Sequence, residues 1–132
     1  MRLWPFRHAV KGVGARGEKL ARRHLKRQGM KILAENYRCP VGEADLIALD
    51  PGTRKVLGSE SLVFVEVKTR RRDDYTSPAS AVNAEKQRRI RKIAEYYCSS
   101  RPTDRYCIRY DIVSIVLPDG REPRIEHLPD AF

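Results

Sequence analysis

Apolar and polar positions follow two rhythms along this chain, and the places where one gives way to the other predict its elements. Residues 15–28 set Ala21 and Leu25 four apart on one helical stripe, with Gly29 as the stop. KILAENYR (31–38) predicts a first strand, and Cys39-Pro40-Val41-Gly42 a turn. GEADLIALD (42–50) and SLVFVEVKTR (61–70) predict two more strands, rich in Val, Ile, Leu and Phe and bounded by Pro51, Gly52, Gly58 and Ser59. The connector 50–60 is polar and turn-rich, with a short extension of strand pairing at 55–57. Ile90, Ile93, Ala94 and Tyr97 fall at i, i+3, i+4 and i+7 and predict a second helix over 83–98, whose inward stripe Val82 and Lys86 extend. A third apolar alternation covers 106–117, Pro118-Asp119-Gly120 reads as a turn, and 125–132 returns as a short edge strand or tail. The order helix, three strands, helix, then one or two strands predicts an α/β or α+β domain with one mixed sheet flanked by helices.

Charges interrupt the two central strands. Side chains alternate across a strand, so Glu66 and Lys68 share the face of Phe64, opposite Val63, Val65 and Val67. Glu43, Asp45, Ile47 and Leu49 share a face by the same rule. A hairpin with Leu49 opposite Leu62 sets Asp45 directly across from Glu66. Like charges in that position destabilise a sheet, and buried charges are costly unless paired or bound to metal. Two readings follow: Asp45 and Glu66 hold a hard divalent cation, Mg²⁺ or Mn²⁺, beside Lys68, or Lys68 forms an ion pair with one of the acids. Glu43, at the strand's start, reads as solvated. Glu18 lies on the stripe of Ala21 and Leu25, either as a first-turn helix-dipole charge or as a third carboxylate for the site.

Charge narrows the class of partner. The net charge is +10, and up to Lys31 the chain has ten Lys or Arg against one acid, Glu18. Lys68 to Arg72 and Lys86 to Lys92 form two further basic clusters, in which Arg70, Arg71, Lys86 and Arg89 are candidate phosphate contacts. Such clustering favours nucleic acid, against the plainer alternative of a solvated basic surface. Lys86 snorkels to solvent, or else reaches a phosphate or the Glu66 region. Asp111 reads as structural, paired with a nearby base and sharing a face with Val113 and Ile115. Cys39, Cys98 and Cys107, with three scattered histidines, match no zinc spacing, and their odd count fits a reducing, cytoplasmic setting. No apolar run reaches membrane-spanning length. Residues 1–13 read as a basic arm, in which Trp4 and Phe6 stack on a base or dock on the body, and 14–132 as one domain.

Several segments then carry a resemblance. Gly14-x-x-Gly17-Glu18-x-x-Ala21, Asn36-Tyr37-Arg38, Gly42 to Ala48, Phe64 to Lys68 with Arg70, Lys86-x-x-Arg89-Ile90, Tyr110 to Val113 and Ala131-Phe132 together resemble the YraN family of small bacterial proteins. That family falls in the restriction-endonuclease-like superfamily, whose signature is an Asp followed by Asp/Glu-x-Lys on the next strand. Ala44 departs from the family's usual Ile. The resemblance implies a nuclease-like core similar to archaeal Holliday-junction resolvases, which act as symmetric dimers. It implies Asp45 and Glu66 as ligands of Mg²⁺ or Mn²⁺, Glu18 as a further ligand and the Val67 carbonyl completing the sphere. Lys68 would act on the attacking water. The function it implies is phosphodiester hydrolysis of DNA, with branched structures as candidate substrates and a non-cutting DNA-binding or recruitment module as the alternative.

Overall fold

The computed structural model describes residues 11–71, 82–118 and 120–132. Residues 1–10, with Trp4, Phe6 and His8, residues 72–81 and Asp119 lie outside the described residues. Helix α1 (Lys11–Arg27) begins inside the expected arm, four residues before the predicted start. It ends where predicted: Gly29 adopts φ +93°. Its N–H reaches the Lys26 carbonyl and that of Met30 the Leu25 carbonyl, closing the last turn.

Among the described residues five strands form one sheet in the order β1 (Lys31–Cys39), β2 (Gly42–Asp50), β3 (Ser61–Arg71), β4 (Cys107–Leu117), β5 (Arg124–Leu128). Neighbours are antiparallel except β3 and β4, which are parallel. Parallel neighbours need a crossover, and helix α3 (Ala84–Ser99) lies within it. Asn83 caps that helix, its side chain accepting the Lys86 N–H. The connector corrects one expectation. Instead of strand pairing at 55–57, a 3₁₀ turn (Pro51–Thr53) leads into a single-turn helix α2 (Arg54–Leu57). The Asp50 carboxylate accepts the Gly52 N–H and starts that turn, which commits the backbone to helical rather than extended geometry.

The sheet has a helix on each face. Ala21, Leu25 and Met30 pack on Leu46, Ala48, Val63, Val65, Val113 and Ile115. On the other face Val82, Ile90, Ile93, Ala94 and Tyr97 pack on Ala44, Ile47, Leu62, Phe64 and Ile112. The predicted α3 stripe is therefore buried as a unit. Phe64 is fully buried, and such a side chain contributes about 1.5–3 kcal/mol by leaving water. The chain's end closes this layer: the Ala131 N–H bonds to the Tyr110 carbonyl, and Phe132 stacks on the Tyr110 ring.

Candidate metal centre at the end of the central hairpin

The β2–β3 register is the predicted one, with Leu49 opposite Leu62, and it runs from Asp50↔Ser61 to Leu46↔Val65. There it stops. Asp45 does not pair with Glu66 through the backbone; its Oδ2 accepts the Val67 N–H at 2.8 Å. The carboxylate takes the place of a ladder carbonyl, on the peptide that joins Glu66 to Val67. Across the other edge of β2, Asn36 lies between the pairs Glu35↔Leu46 and Tyr37↔Ala44, and so faces Asp45. Its φ is +50°, a left-handed conformation that asparagine tolerates better than most residues. Regular pairing thus ends at Asp45 on the β3 side, whereas on the β1 side the register runs on past Asn36 to Cys39↔Gly42, its one shift lying between Ile32 and Ala34.

That break overturns the expected alternation. Ala44 packs in the α3 layer with Ile47, whereas Leu46 and Ala48 pack in the α1 layer. A Cβ on Gly42 would meet Ile93 and Arg89 of α3, so Glu43, between Gly42 and Ala44, turns to the α1 side. Nor is Glu43 solvated: its side chain is only 5% exposed, with Oε2 3.7 Å from Arg38 Nε. Strict alternation holds only for an unbroken ladder.

Glu66 keeps its predicted face. Its Oε2 lies 2.9 Å from Lys86 Nζ, so Lys86 reaches Glu66 rather than only snorkelling. Lys68 follows Glu66 on that face, with its position on β3 paired to Ser114. Glu18 is placed differently. It is the eighth residue of α1, so the first-turn helix-dipole role falls away. Its neighbour Gly17 abuts Thr69: a Cβ on Gly17 would overlap the Thr69 hydroxyl. The helix is therefore pressed against β3 one residue beyond Lys68. Glu18 enters from the α1 layer, whereas Glu66 meets Lys86 in the α3 layer.

Among the described residues no three of His, Cys, Asp and Glu converge. The two expected ligands on β2 and β3, Asp45 and Glu66, are both carboxylates. That chemistry fits Mg²⁺ or Mn²⁺, held by one or two carboxylates with water and phosphate filling the octahedron. It does not fit a structural zinc site, which takes four nitrogen or sulfur ligands.

The candidate phosphate contacts divide. Arg71 and Arg89 are exposed, and Arg89 also approaches Glu85 at 3.8 Å. Arg70 departs from its expected role: it is 5% exposed, and its Nη2 donates to Ser114 Oγ. Arg91 lies over the Tyr110 and Phe132 rings, leaving Arg88 and Lys92 among the exposed bases of α3.

Asp111 is fully buried and structural in its contacts. Arg109 Nε and Nη2 donate to its two oxygens, each at 2.9 Å. His127 Nε2 stands 2.7 Å from Oδ2, and the Asp130 N–H donates to Oδ1. Arg109 also bridges to Asp50 at 2.9 Å. The network continues through His127 Nδ1 to Gln28, at the end of α1, and on to His24. Burial pushes the Asp111 carboxyl up, but the bonds from His127, Arg109 and Asp130 outweigh it and hold the group below the usual carboxylate range. Asn36 and the His127–Gln28 link were missed in the sequence. The first carried a signal, an asparagine within a strand; the second joins residues 99 positions apart and carried none.

A family model described as "Uncharacterised protein family UPF0102" matches residues 17–115. A UPF0102 protein of Rhodococcus opacus is 47% identical over 122 residues, covering 91% of this chain and 95% of its own. Those of Pelobacter propionicus (43% identical; 92% of this chain, 83% of its own) and Geobacter metallireducens (41%; 92% and 93%) are similar over the same span. No helix among the described residues is long and apolar enough to cross a membrane. From Gly17 to Ile115, the span that carries Glu18, Asp45, Glu66 and Lys68, the chain belongs to the uncharacterised protein family UPF0102, the YraN family.

Proposed function

We propose that this protein is a divalent-metal-dependent endonuclease that hydrolyses phosphodiester bonds of DNA. The observation that carries the reading is the Asp45 carboxylate, 4% exposed, seated on the Val67 N–H beside Glu66 just where the β2–β3 ladder ends. Asp45 and Glu66 would hold the ion, and the Val67 N–H fixes the Asp45 side chain before anything binds. When bound, Mg²⁺ or Mn²⁺ supplies a more acidic water and neutralises phosphate charge. Lys68, as an ammonium, orients the attacking water and stabilises the negative charge that builds on the phosphoryl oxygens as the water oxygen bonds to phosphorus and the ester P–O bond breaks; the water's proton passes to solvent and the leaving oxygen takes one from solvent. Arg71, Arg88, Arg89 and Lys92 contact the backbone without reading sequence. Branched DNA and a symmetric dimer belong to the same proposal.

Nicking of branched and linear DNA, with Mg²⁺ or Mn²⁺ against EDTA, tests it in wild type and Asp45→Asn. Metal-dependent cutting that vanishes in Asp45→Asn supports the reading; cutting that survives marks a contaminant and sinks it. DNA affinity should fall with salt at a log–log slope of about −0.9 for each phosphate neutralised. A second reading, a nuclease-fold module that binds DNA without cutting, draws on the Lys86–Glu66 ion pair, which gives Glu66 a partner with no metal needed. Salt-dependent binding without nicking in any divalent ion would select it.

A further inference from the structure

The carboxylate assigned to the metal already faces a cation. Lys86 Nζ stands 2.9 Å from Glu66 Oε2, with the lysine side chain 36% exposed and the glutamate 13%. We propose that Lys86 is a positioning residue of this site. Its ammonium is a displaceable counter-ion that competes with the divalent ion for Glu66 and, once displaced, serves the substrate phosphate. The inference rests on the hydrolase reading above and adds an ordering of events to it.

Three features support displacement over a fixed structural pair. The backbone under Lys86 is rigid: Asn83 Oδ1 accepts its N–H at 2.9 Å, Gln87 Nε2 bonds the Val82 carbonyl, and Val82 and Ile90 are buried on either side. The side chain above that backbone is a flexible four-carbon stem carrying a compact charge, able to swing without moving α3. Its exposure keeps the ammonium partly hydrated, so moving from carboxylate to phosphate leaves no charge stranded. Arg109 is the contrast: its planar fork is pinned to both Asp111 and Asp50 and its side chain is 13% exposed, a pair built to stay closed. Among the described residues it is Lys86 that forms the ion pair with Glu66.

A divalent ion arriving at Glu66 meets an ammonium at the same oxygen, and two cations cannot share it without strong repulsion. Metal affinity of the free protein is therefore held down. The liberated ammonium is tethered within a side-chain length of the site, where a bound phosphate adds negative charge.

The test separates the two halves by their opposite signs. Mn²⁺ is titrated calorimetrically into wild type, Lys86→Met, Lys86→Gln, Lys86→Arg and Asp45→Asn without DNA. DNA binding is then followed by anisotropy in Ca²⁺. Lys86→Met and Lys86→Gln should bind Mn²⁺ about three- to ten-fold more tightly, yet bind DNA more weakly, with a salt slope lower by about 0.9. Lys86→Arg should stay near wild type in both. If Asp45→Asn loses Mn²⁺ binding while Lys86→Met leaves it unchanged or weaker, the pair is structural: the inference is overturned and the hydrolase reading stands. If neither wild type nor Lys86→Met binds Mn²⁺, both fall together.

Discussion

Two carboxylates of one sheet, on strands β2 and β4 to either side of β3, meet opposite fates here. Asp111 on β4 is fully buried and receives a bidentate arginine, a histidine and a backbone N–H. Asp45 on β2 is nearly as buried, but its described bond is to a backbone N–H at the place where the ladder opens. Its companion Glu66 faces a flexible, part-exposed lysine. Burial of an acid is therefore a poor signal of chemistry. What separates the two regions is position in the sheet: Asp111 lies where β4 pairs continuously with β3, and Asp45 where the β2–β3 ladder ends, beside the Glu66–Lys86 ion pair.

The largest effect should come from Asp111→Ala. It leaves Arg109 and His127 without their shared acceptor, and breaking such a buried pair costs about 3–5 kcal/mol. Urea denaturation should show the loss while any surviving folded protein binds Mn²⁺ as before. Unchanged stability would erase the contrast between the two regions.

Asp45→Asn should do the reverse. Asparagine keeps an oxygen to accept the Val67 N–H, so stability should move by less than about 1 kcal/mol. Nicking and Mn²⁺ affinity should each drop at least about 100-fold, some 2.7 kcal/mol. A fold lost with the activity would make Asp45 a second Asp111.

Gly17→Ala probes how α1 is set against the site. The added Cβ would overlap the Thr69 side chain, and such overpacking costs about 1–3 kcal/mol. Thr69→Gly in the same chain should restore most of it. An additive double variant, measured by thermal melting, would deny the close approach.

The smallest expected effect is the dependence on pH. Asp111 sits below the usual carboxylate range in the folded chain. Its stabilising share is therefore complete above the unfolded value of about 4 and is lost as pH falls through its lower folded value. His24 is also lowered, by burial first and then by the charges of His127 and Arg27. The unfolded chain thus takes up that proton first, and stability erodes gently below about pH 6.5. Urea midpoints against pH should show a shallow decline and then a steeper one. His24→Gln should remove only the shallow part.

Much of this was legible in the chain. The α3 stripe follows from local periodicity, and the β2–β3 register assumed from the hairpin, Leu49 opposite Leu62, is the one observed. Asp111 could be read as structural because its face, shared with Val113 and Ile115, was unbroken. The orientation of Glu43 and the Asp45 carboxylate's seat on Val67 could not be read. Alternation assumes a regular ladder, and the left-handed Asn36 with the opening beyond Leu46 ends that regularity. The burial of Arg70 could not be read for a related reason: its basic neighbours suggest solvent, while the fold sets it beside Ser114 of β4.

The sequence by itself determined the two long helices, the main strands and the presence of Asp45, Glu66 and Lys68 on successive strands, because these depend on spacing alone. Only the tertiary structure decided which acid is locked and which is presented. Lys86 comes to Glu66 across 20 residues, and His127 to Asp111 across 16. Contacts of that kind are made by packed layers and leave no period in the chain.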